Sequence, residues 1–288
     1  MTAVYKRELR AYFNSMTGYV FIAAVTAFIG IYFMLYNLKI GHPYFAVSLS
    51  GAITIFAFAV PILTMKSMAE ERHSKTDQML LTYPVSVTGV IMGKFFAMLT
   101  VYCVPMLISC LCPLVISRGG NGSLLIDYSA ILLFVFLGAM FISIGLYISS
   151  LTESQIIAAV ASMAILLLLL IWDTVTSYIP STVGVSAAGF LILAALFALA
   201  VYKSSRCIIP SLCIFAAGAV FTVVGAVSFS EWFSGACTGF LGLFSIYGPV
   251  ANFTSYYVFD VKGLIFYAAV SALFIFLTVM TVQKRRYR

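Results

Sequence analysis

Charged residues are scarce in this sequence. Only 9% of its 288 residues are Asp, Glu, Lys or Arg, whereas an ordinary soluble domain contains about 25%. Hydrophobic residues make up 63% of the chain, and the mean hydropathy is +1.10. A soluble fold cannot bury this much apolar surface, so the sequence predicts a membrane protein. The net charge of +7 is typical of basic cytoplasmic loops in such proteins and does not indicate nucleic-acid binding.

Motifs for metal and hydrolytic chemistry are also missing. The only histidines, His42 and His73, are not part of an HExxH sequence, and no GxSxG sequence occurs. The six cysteines form no CxxC pair, so we interpret them as packing residues rather than metal ligands or disulfides. The lysines lie at the ends of apolar runs, where snorkelling to the membrane surface accounts for them. An intramembrane enzyme of the Ser-Lys type is therefore kept only as an alternative.

Signals for nucleotide binding and for ion-coupled transport are weak. Gly89 and Gly93-Lys94 superficially resemble a phosphate-binding loop, but only three residues separate the glycines, and Phe95 follows the lysine. The chain itself is therefore not expected to bind ATP. Ion-coupled carriers place ionisable groups in mid-membrane, whereas Glu153 and Asp173 fall at the ends of apolar runs. An ATP-independent secondary carrier is the second alternative.

Long apolar runs dominate what is present. A membrane helix needs about 20 apolar residues. Runs without Asp, Glu, Lys or Arg cover residues 11–38, 40–65, 95–117, 128–152, 154–172, 174–202, 207–230, 232–259 and 263–283. Glycines and a proline interrupt 232–259, so we predict that residues 231–262 form short re-entrant or interfacial helices on the outer face. The other eight runs predict an all-α polytopic protein with eight transmembrane helices in one domain, residues 1–288.

The distribution of basic residues predicts the orientation. With eight spans, both termini lie on the same side of the membrane. That side receives 13 of the 16 basic residues, namely Lys6, Arg7, Arg10, Lys66, Arg72, Lys75, Lys94, Lys203, Arg206, Lys284, Arg285, Arg286 and Arg288. The positive-inside rule therefore places both termini in the cytoplasm. A ninth full span through 232–259 would move the basic C-terminus outside, so we reject it.

Residues 1–15 form a separate element before the first span. Met1, Tyr5, Leu9 and Tyr12 share one helical stripe, and Lys6, Arg10 and Asn14 share another. This pattern predicts a short amphipathic helix in the inner interface of the membrane. A disordered basic tail is the alternative.

The segment 66–94 is the only sizeable polar stretch in the chain. Residues 68–73 extend the second span as a polar helix, and residues 74–81 favour a short helix that ends at Tyr83-Pro84. Gly89 and Gly93 permit close helix packing at the base of the third span. A short helix held between two spans suits docking of a partner, and a solvated loop is the equally simple alternative.

The same segment resembles the first cytoplasmic loop of ABC-2 type permeases, the membrane subunits of ATP-binding-cassette exporters. That loop has two acids and a base, then Gly-Thr, an acidic-Leu-Leu run, Pro-Val-Ser and Gly-Lys. The matching residues here are Glu70, Glu71, Arg72, Thr76, Leu80, Leu81, Pro84, Val85, Ser86, Gly93 and Lys94. Lys75 replaces the usual glycine, and Gln78 follows Asp77 where a second acid is frequent. The C-terminal run also resembles gliding-motility-type permeases, and the extra pair of spans, 186–202 and 207–229, adds to a six-span family core.

The resemblance implies a permease without catalytic activity, driven by a separate ATPase. Its coupling helix would contact the ATPase through Glu70, Glu71, Arg72, Lys75, Thr76, Asp77, Gln78, Leu80 and Leu81, and Lys6, Arg7 and Arg10 would brace that contact. It implies two ATPase copies, a second permease copy or paralogue, and the bacterial inner membrane. ATP and Mg²⁺ would act on the partner ATPase, and this chain would hold no cofactor.

Overall fold

Helices form every regular element in the described part of the chain. The computed structural model describes residues 1–74, 86–119, 123–180, 182–205, 216, 222, 235–255, 257 and 259–286. The helices are α1 (Thr2–Asn14), α2 (Met16–Phe33), α3 (Phe45–Gly51), α4 (Ile53–His73), α5 (Val87–Ser109), α6 (Leu111–Arg118), α7 (Leu124–Leu151), α8 (Gln155–Ser177), α9 (Val183–Ser205), α10 (Ala236–Gly242), α11 (Tyr247–Ser255) and α12 (Val261–Arg286). Residues 1–170 and 247–288 form one compact unit, and residues 171–246 form a second.

Six helical stretches within those described ranges are long and apolar enough to cross a membrane. They are Met16–Lys39, Ile53–His73, Val87–Arg118, Leu124–Leu151, Gln155–Ser177 and Val261–Arg285. The predicted span 174–202 corresponds to α9, whose apolar part, Val183–Leu199, is shorter. The predicted span 207–230 lies outside the described residues except for positions 216 and 222. An all-helical, multi-pass membrane protein is thus confirmed, and the eight-span count stays a prediction.

The centre of the first unit is α7, which packs against α4, α5 and α12. Glycines let two of these neighbours come close: a Cβ atom added at Gly138 would lie 2.7 Å from the hydroxyl oxygen of Tyr102, and one added at Gly145 would lie 2.9 Å from Cβ of Thr64. Such small residues are how membrane helices gain packing contacts without a hydrophobic driving force between them. The Tyr102 hydroxyl also donates to the Phe134 carbonyl at 2.9 Å, and this hydrogen bond connects α5 to α7.

At one end of this unit, buried polar side chains hold the turn between α2 and α4. The helix α2 continues as a π-helical stretch, Met34–Lys39, in which the buried Asn37 amide donates to the carbonyls of His42 and Tyr44. Asp127, in the first turn of α7, accepts a hydrogen bond of 2.7 Å from the Phe45 backbone N–H. Asp127 lies between the predicted apolar runs 95–117 and 128–152, yet it is fully buried, because its carboxylate bonds to the start of α3.

Two short helices occupy the segment predicted to be interrupted by glycines. α10 begins after Gly235, whose φ of 80° is the left-handed conformation that glycine adopts readily. α11 ends before Asp260, whose carboxylate accepts from the Asn252 amide and from the Gly263 N–H at the start of α12. The segment is therefore helical in pieces, as predicted, while its depth in the membrane stays a prediction.

Candidate functional site

A buried lysine lies where α1, α4 and α5 meet. Only 1% of the Lys94 side chain is exposed. Its Nζ atom lies 2.9 Å from Oε1 of Glu71 and 3.3 Å from Oε1 of Glu8, and it donates to the Ser67 carbonyl at 2.7 Å. The three groups come from two other helices, Glu8 from α1 and both Ser67 and Glu71 from α4. A buried ammonium is tolerated only when it is paired and hydrogen-bonded, and this one is.

Arg7 completes the arrangement from the outside. Its Nη2 atom lies 2.7 Å from Oε1 of Glu8 and 2.8 Å from Oε1 of Glu71, and 55% of its side chain is exposed. The hydrogen bond to Glu8, with the charges of both carboxylates, raises the pKa of Arg7. Arg7, Glu8, Lys94 and Glu71 therefore form a closed ring of alternating charge, which we call the charge ring. Its formal charges cancel, which lowers the cost of burying it.

The opposite side of the last turns of α4 is bonded to α7. The Ser149 hydroxyl accepts from the backbone N–H groups of Met68 and Ala69 and donates to the Met65 carbonyl. Nη2 of Arg72 lies 2.6 Å from Oε1 of Glu153, just beyond α7. The end of α4 is thus held by α1 and α5 on one side and by α7 on the other.

Tyrosine hydroxyls hold α1 along its length. Tyr5 shares a hydrogen bond of 3.0 Å with Thr100 of α5, and the buried Tyr12 donates to the Leu63 carbonyl of α4 at 3.0 Å. Burial raises the pKa of Tyr12, which keeps this donor protonated. Glu8 lies between them on the same face. Of the stripe predicted from Met1, Tyr5, Leu9 and Tyr12, the two tyrosines bond to neighbouring helices, whereas Met1 is exposed.

The other predicted site residues fall into three groups. Glu70, Glu71 and Arg72 lie in the last turn of α4, where Glu70 is exposed. Lys6 and Arg10 are exposed on α1, and Gly89 and Gly93 lie in α5. Lys75, Thr76, Asp77, Gln78, Leu80, Leu81 and Pro84 lie outside the described residues.

Gly93 lies directly under α1. A Cβ atom added there would be 3.2 Å from the Met1 carbonyl oxygen and 3.2 Å from Cβ of Val4. A Cβ atom added at Gly89 would instead be 2.8 Å from the neighbouring Ser86 hydroxyl. The absence of a side chain at Gly93 lets α1 pack closely on α5, one residue before Lys94.

Sequence reasoning missed Glu8 and assigned Lys94 wrongly. The third span was expected to begin after Lys94. Its side chain was therefore expected to extend to the membrane surface. The helix begins at Val87 instead, because residues 87–93 carry no charge and are mostly apolar or glycine, and Lys94 is therefore two turns inside it. For Glu8 there was a signal: it stands three residues after Tyr5 and four before Tyr12, on the stripe that faces the protein.

No metal centre is found among the residues that the structure describes. These ranges contain no group of three or more His, Cys, Asp or Glu side chains placed to hold an ion. Cys103, Cys110 and Cys112 are free thiols within the span Val87–Arg118.

These features define a multi-pass helical membrane protein with an ion-paired helix junction at one end. The model of the family described as ABC-2 family transporter protein matches residues 10–188, which run from α1 into α9. A comparison with curated proteins finds no match. The match covers more than half of the chain, which therefore belongs to the ABC-2 transporter family. It is a membrane permease subunit of an ABC transporter, a class that generally works with an ABC ATPase.

Proposed function

We propose that this chain is the permease of an exporter driven by a separate ATPase subunit. The ATPase would contact the end of α4 and residues 75–81 that follow it. The family supports the ATPase requirement. The observation that carries the contact site is the anchoring of α4: its last turn, Glu70–His73, projects from a helix that is bonded to three neighbours. Because the end of α4 is fixed in this way, a displacement imposed by the ATPase would be passed to the neighbouring helices instead of bending α4.

Movement of the ATPase would reach the permease by three routes from α4. The first is Glu71 to Lys94 of α5, the second is Glu71 through Arg7 to α1, and the third is the Ser149 hydroxyl of α7, which accepts from the Met68 and Ala69 N–H groups. Coupling carried by contiguous contacts of this kind requires elements that move as units. The exposed Lys6 and Arg10 would brace the ATPase contact beside α4.

The assembly we propose holds two permeases, identical or paralogous, and two ATPases, in the inner membrane of a bacterium. Both termini would be cytoplasmic, as the positive-inside rule predicts. ATP and Mg²⁺ would bind the ATPase subunits. An apolar or amphipathic cargo fits best, because Glu153 and Asp173 lie between apolar runs rather than in mid-span.

Co-purification with a candidate ABC ATPase from the same organism tests the proposal. Wild-type permease should retain the ATPase and raise its rate of ATP hydrolysis. The double variant Glu70→Lys/Leu80→Asp should lose both, because it reverses a charge and places another charge in the predicted contact. Lys262→Ala is the matched control, since this exposed residue lies at the start of α12, away from the contact.

Two results would favour the alternatives. Cargo movement by the purified chain on an ion gradient alone would indicate a secondary carrier, and bond cleavage by the chain alone would indicate an enzyme. The direction is tested in inside-out vesicles, where an exporter accumulates cargo only when ATP is supplied outside.

A further inference from the structure

We propose that Lys94 and Glu8 are positioning residues of this transporter: through the charge ring they pass ATPase movement from α4 to α1 and α5 without contacting the ATPase. The inference rests on the proposed function. It assigns a role to two residues that lie outside the predicted ATPase contact, and it predicts that docking and transmission can be separated experimentally.

Burial excludes a docking role for Lys94. With 1% of its side chain exposed, it cannot reach a second protein. All three of its polar contacts lie within the chain and come from α1 and α4. Any displacement of the end of α4 relative to α5 must therefore act on this ammonium group.

The charge ring permits such displacement at low cost. Both Lys94 and Arg7 contact both carboxylates, each through the same oxygen of Glu8 and of Glu71. If α4 moves away from α5, Lys94 still has Glu8 as its partner, and Glu71 still has Arg7. No buried charge is left unpaired, which is the state that makes broken ion pairs costly. The ring can thus exchange partners and keep α1 attached in two positions of α4.

The ion pair between Arg72 and Glu153 lies outside the charge ring and cannot exchange partners within it. Glu153 is 71% exposed, so its attraction to Arg72 is weakened by water and salt. Glu153→Gln is therefore a matched control: it removes one charge from an ion pair of the same helix turn, but outside the charge ring.

The experiment uses the permease–ATPase complex and needs no knowledge of the cargo. Spin labels at Ala3→Cys in α1 and Lys284→Cys in α12 report the distance between these helices by pulsed electron paramagnetic resonance, in a chain without its native cysteines. Both label positions are exposed. The distance is measured without nucleotide and with a non-hydrolysable ATP analogue and Mg²⁺. Co-purification and the rate of ATP hydrolysis are measured on the same samples.

The informative variant is Glu8→Gln/Lys94→Met. It removes one positive and one negative charge and leaves the Arg7–Glu71 pair in place, so no charge is stranded. We expect ATPase retention within about twofold of wild type, continued ATP hydrolysis, and loss of the nucleotide-induced change in distance. Lys94→Arg keeps the charge and should keep most of the change, and Glu153→Gln should keep all of it.

An unchanged distance response in Glu8→Gln/Lys94→Met would overturn the inference, because the charge ring would then be structural only. The inference would also be overturned if Glu153→Gln lost as much of the distance response as the double variant does. A wild-type chain that fails to retain the ATPase contradicts the proposed function itself. That failure is distinguishable, since it appears before any variant is made.

Discussion

Glu71 and Arg72 are adjacent in α4, yet their side chains form ion pairs with different neighbours. Glu71 pairs with Lys94 of α5 at 2.9 Å and with Arg7 of α1 at 2.8 Å. Arg72 pairs with Glu153, beyond α7, at 2.6 Å. Consecutive residues of a helix point about 100° apart, so the two side chains reach different neighbours. Together with the bonds from Ser149 of α7, these ion pairs make the end of α4 a junction of four helices.

The two sides of this junction should differ in strength. Lys94→Met leaves two carboxylates with one cation in a buried setting, and breaking a buried pair in this way costs about 3–5 kcal/mol. Glu153→Gln removes an exposed pair and should cost less than about 1 kcal/mol. Thermal unfolding of the purified chain in detergent measures both. A larger loss for Glu153→Gln than for Lys94→Met would contradict this account.

Ser149 should contribute to stability through its contacts with α4. Ser149→Ala removes an acceptor for two backbone N–H groups and a donor to the Met65 carbonyl, and we expect a loss of about 1–3 kcal/mol. Ser143→Ala is the control, because this serine is equally buried in α7 but donates only to Met140 of its own helix. Unfolding midpoints of the two variants should differ clearly. Equal midpoints would show that the contact between α7 and α4 adds nothing.

Gly145 should not tolerate a methyl group. In Gly145→Ala the new Cβ would lie 2.9 Å from Cβ of Thr64, which forces α4 away from α7 at a cost of about 1–3 kcal/mol. Gly30→Ala is the matched control in α2, where nothing lies within 4 Å of an added Cβ. Its melting temperature should equal or slightly exceed that of wild type, since alanine favours a helix more than glycine does. A similar loss in both variants would exclude close packing at Gly145 as the cause.

Tyr12 should make stability depend on pH in the alkaline range. Its pKa is raised in the folded state, so its contribution is fully present below the unfolded value of about 10 and is lost as the pH rises above it. At pH 8, Tyr12→Phe should be less stable than wild type by about 0.5–1.5 kcal/mol, because the hydrogen bond to Leu63 is lost. Above pH 10 the difference should shrink as wild type loses stability.

Tyr178→Phe controls for this measurement, because Tyr178 is 82% exposed. It should match wild type at both pH values. A difference between wild type and Tyr12→Phe that grows above pH 10 would mean that Tyr12 ionises in the folded protein.

The sequence predicted those features that depend on apolar length and helical periodicity. Such patterns predicted six of the spans, the helix over residues 1–14 and the short helices before the last span. Local composition is enough to determine these elements. The partners of single charges depend on tertiary contacts instead. Lys94 was assigned to a span end because the third span was predicted to begin at residue 95. Likewise, nothing local to Asp127, which stands just before the run 128–152, shows that it bonds to Phe45, 82 residues away. The ABC-2 resemblance came from a motif of which residues 75–85 lie outside the described structure.

The position of Lys94 in the chain has a consequence for biosynthesis. Glu8 and Glu71 both precede it, so the ribosome has already made both carboxylates when the helix that carries Lys94 is inserted. An unpaired lysine at mid-span costs about 2.5–3.5 kcal/mol on insertion scales, and Lys94, two turns inside its helix, carries part of that cost. Here the first two membrane helices and α1 are present to receive it. We therefore expect the N-terminal part of the chain to act as an assembly template for the third span.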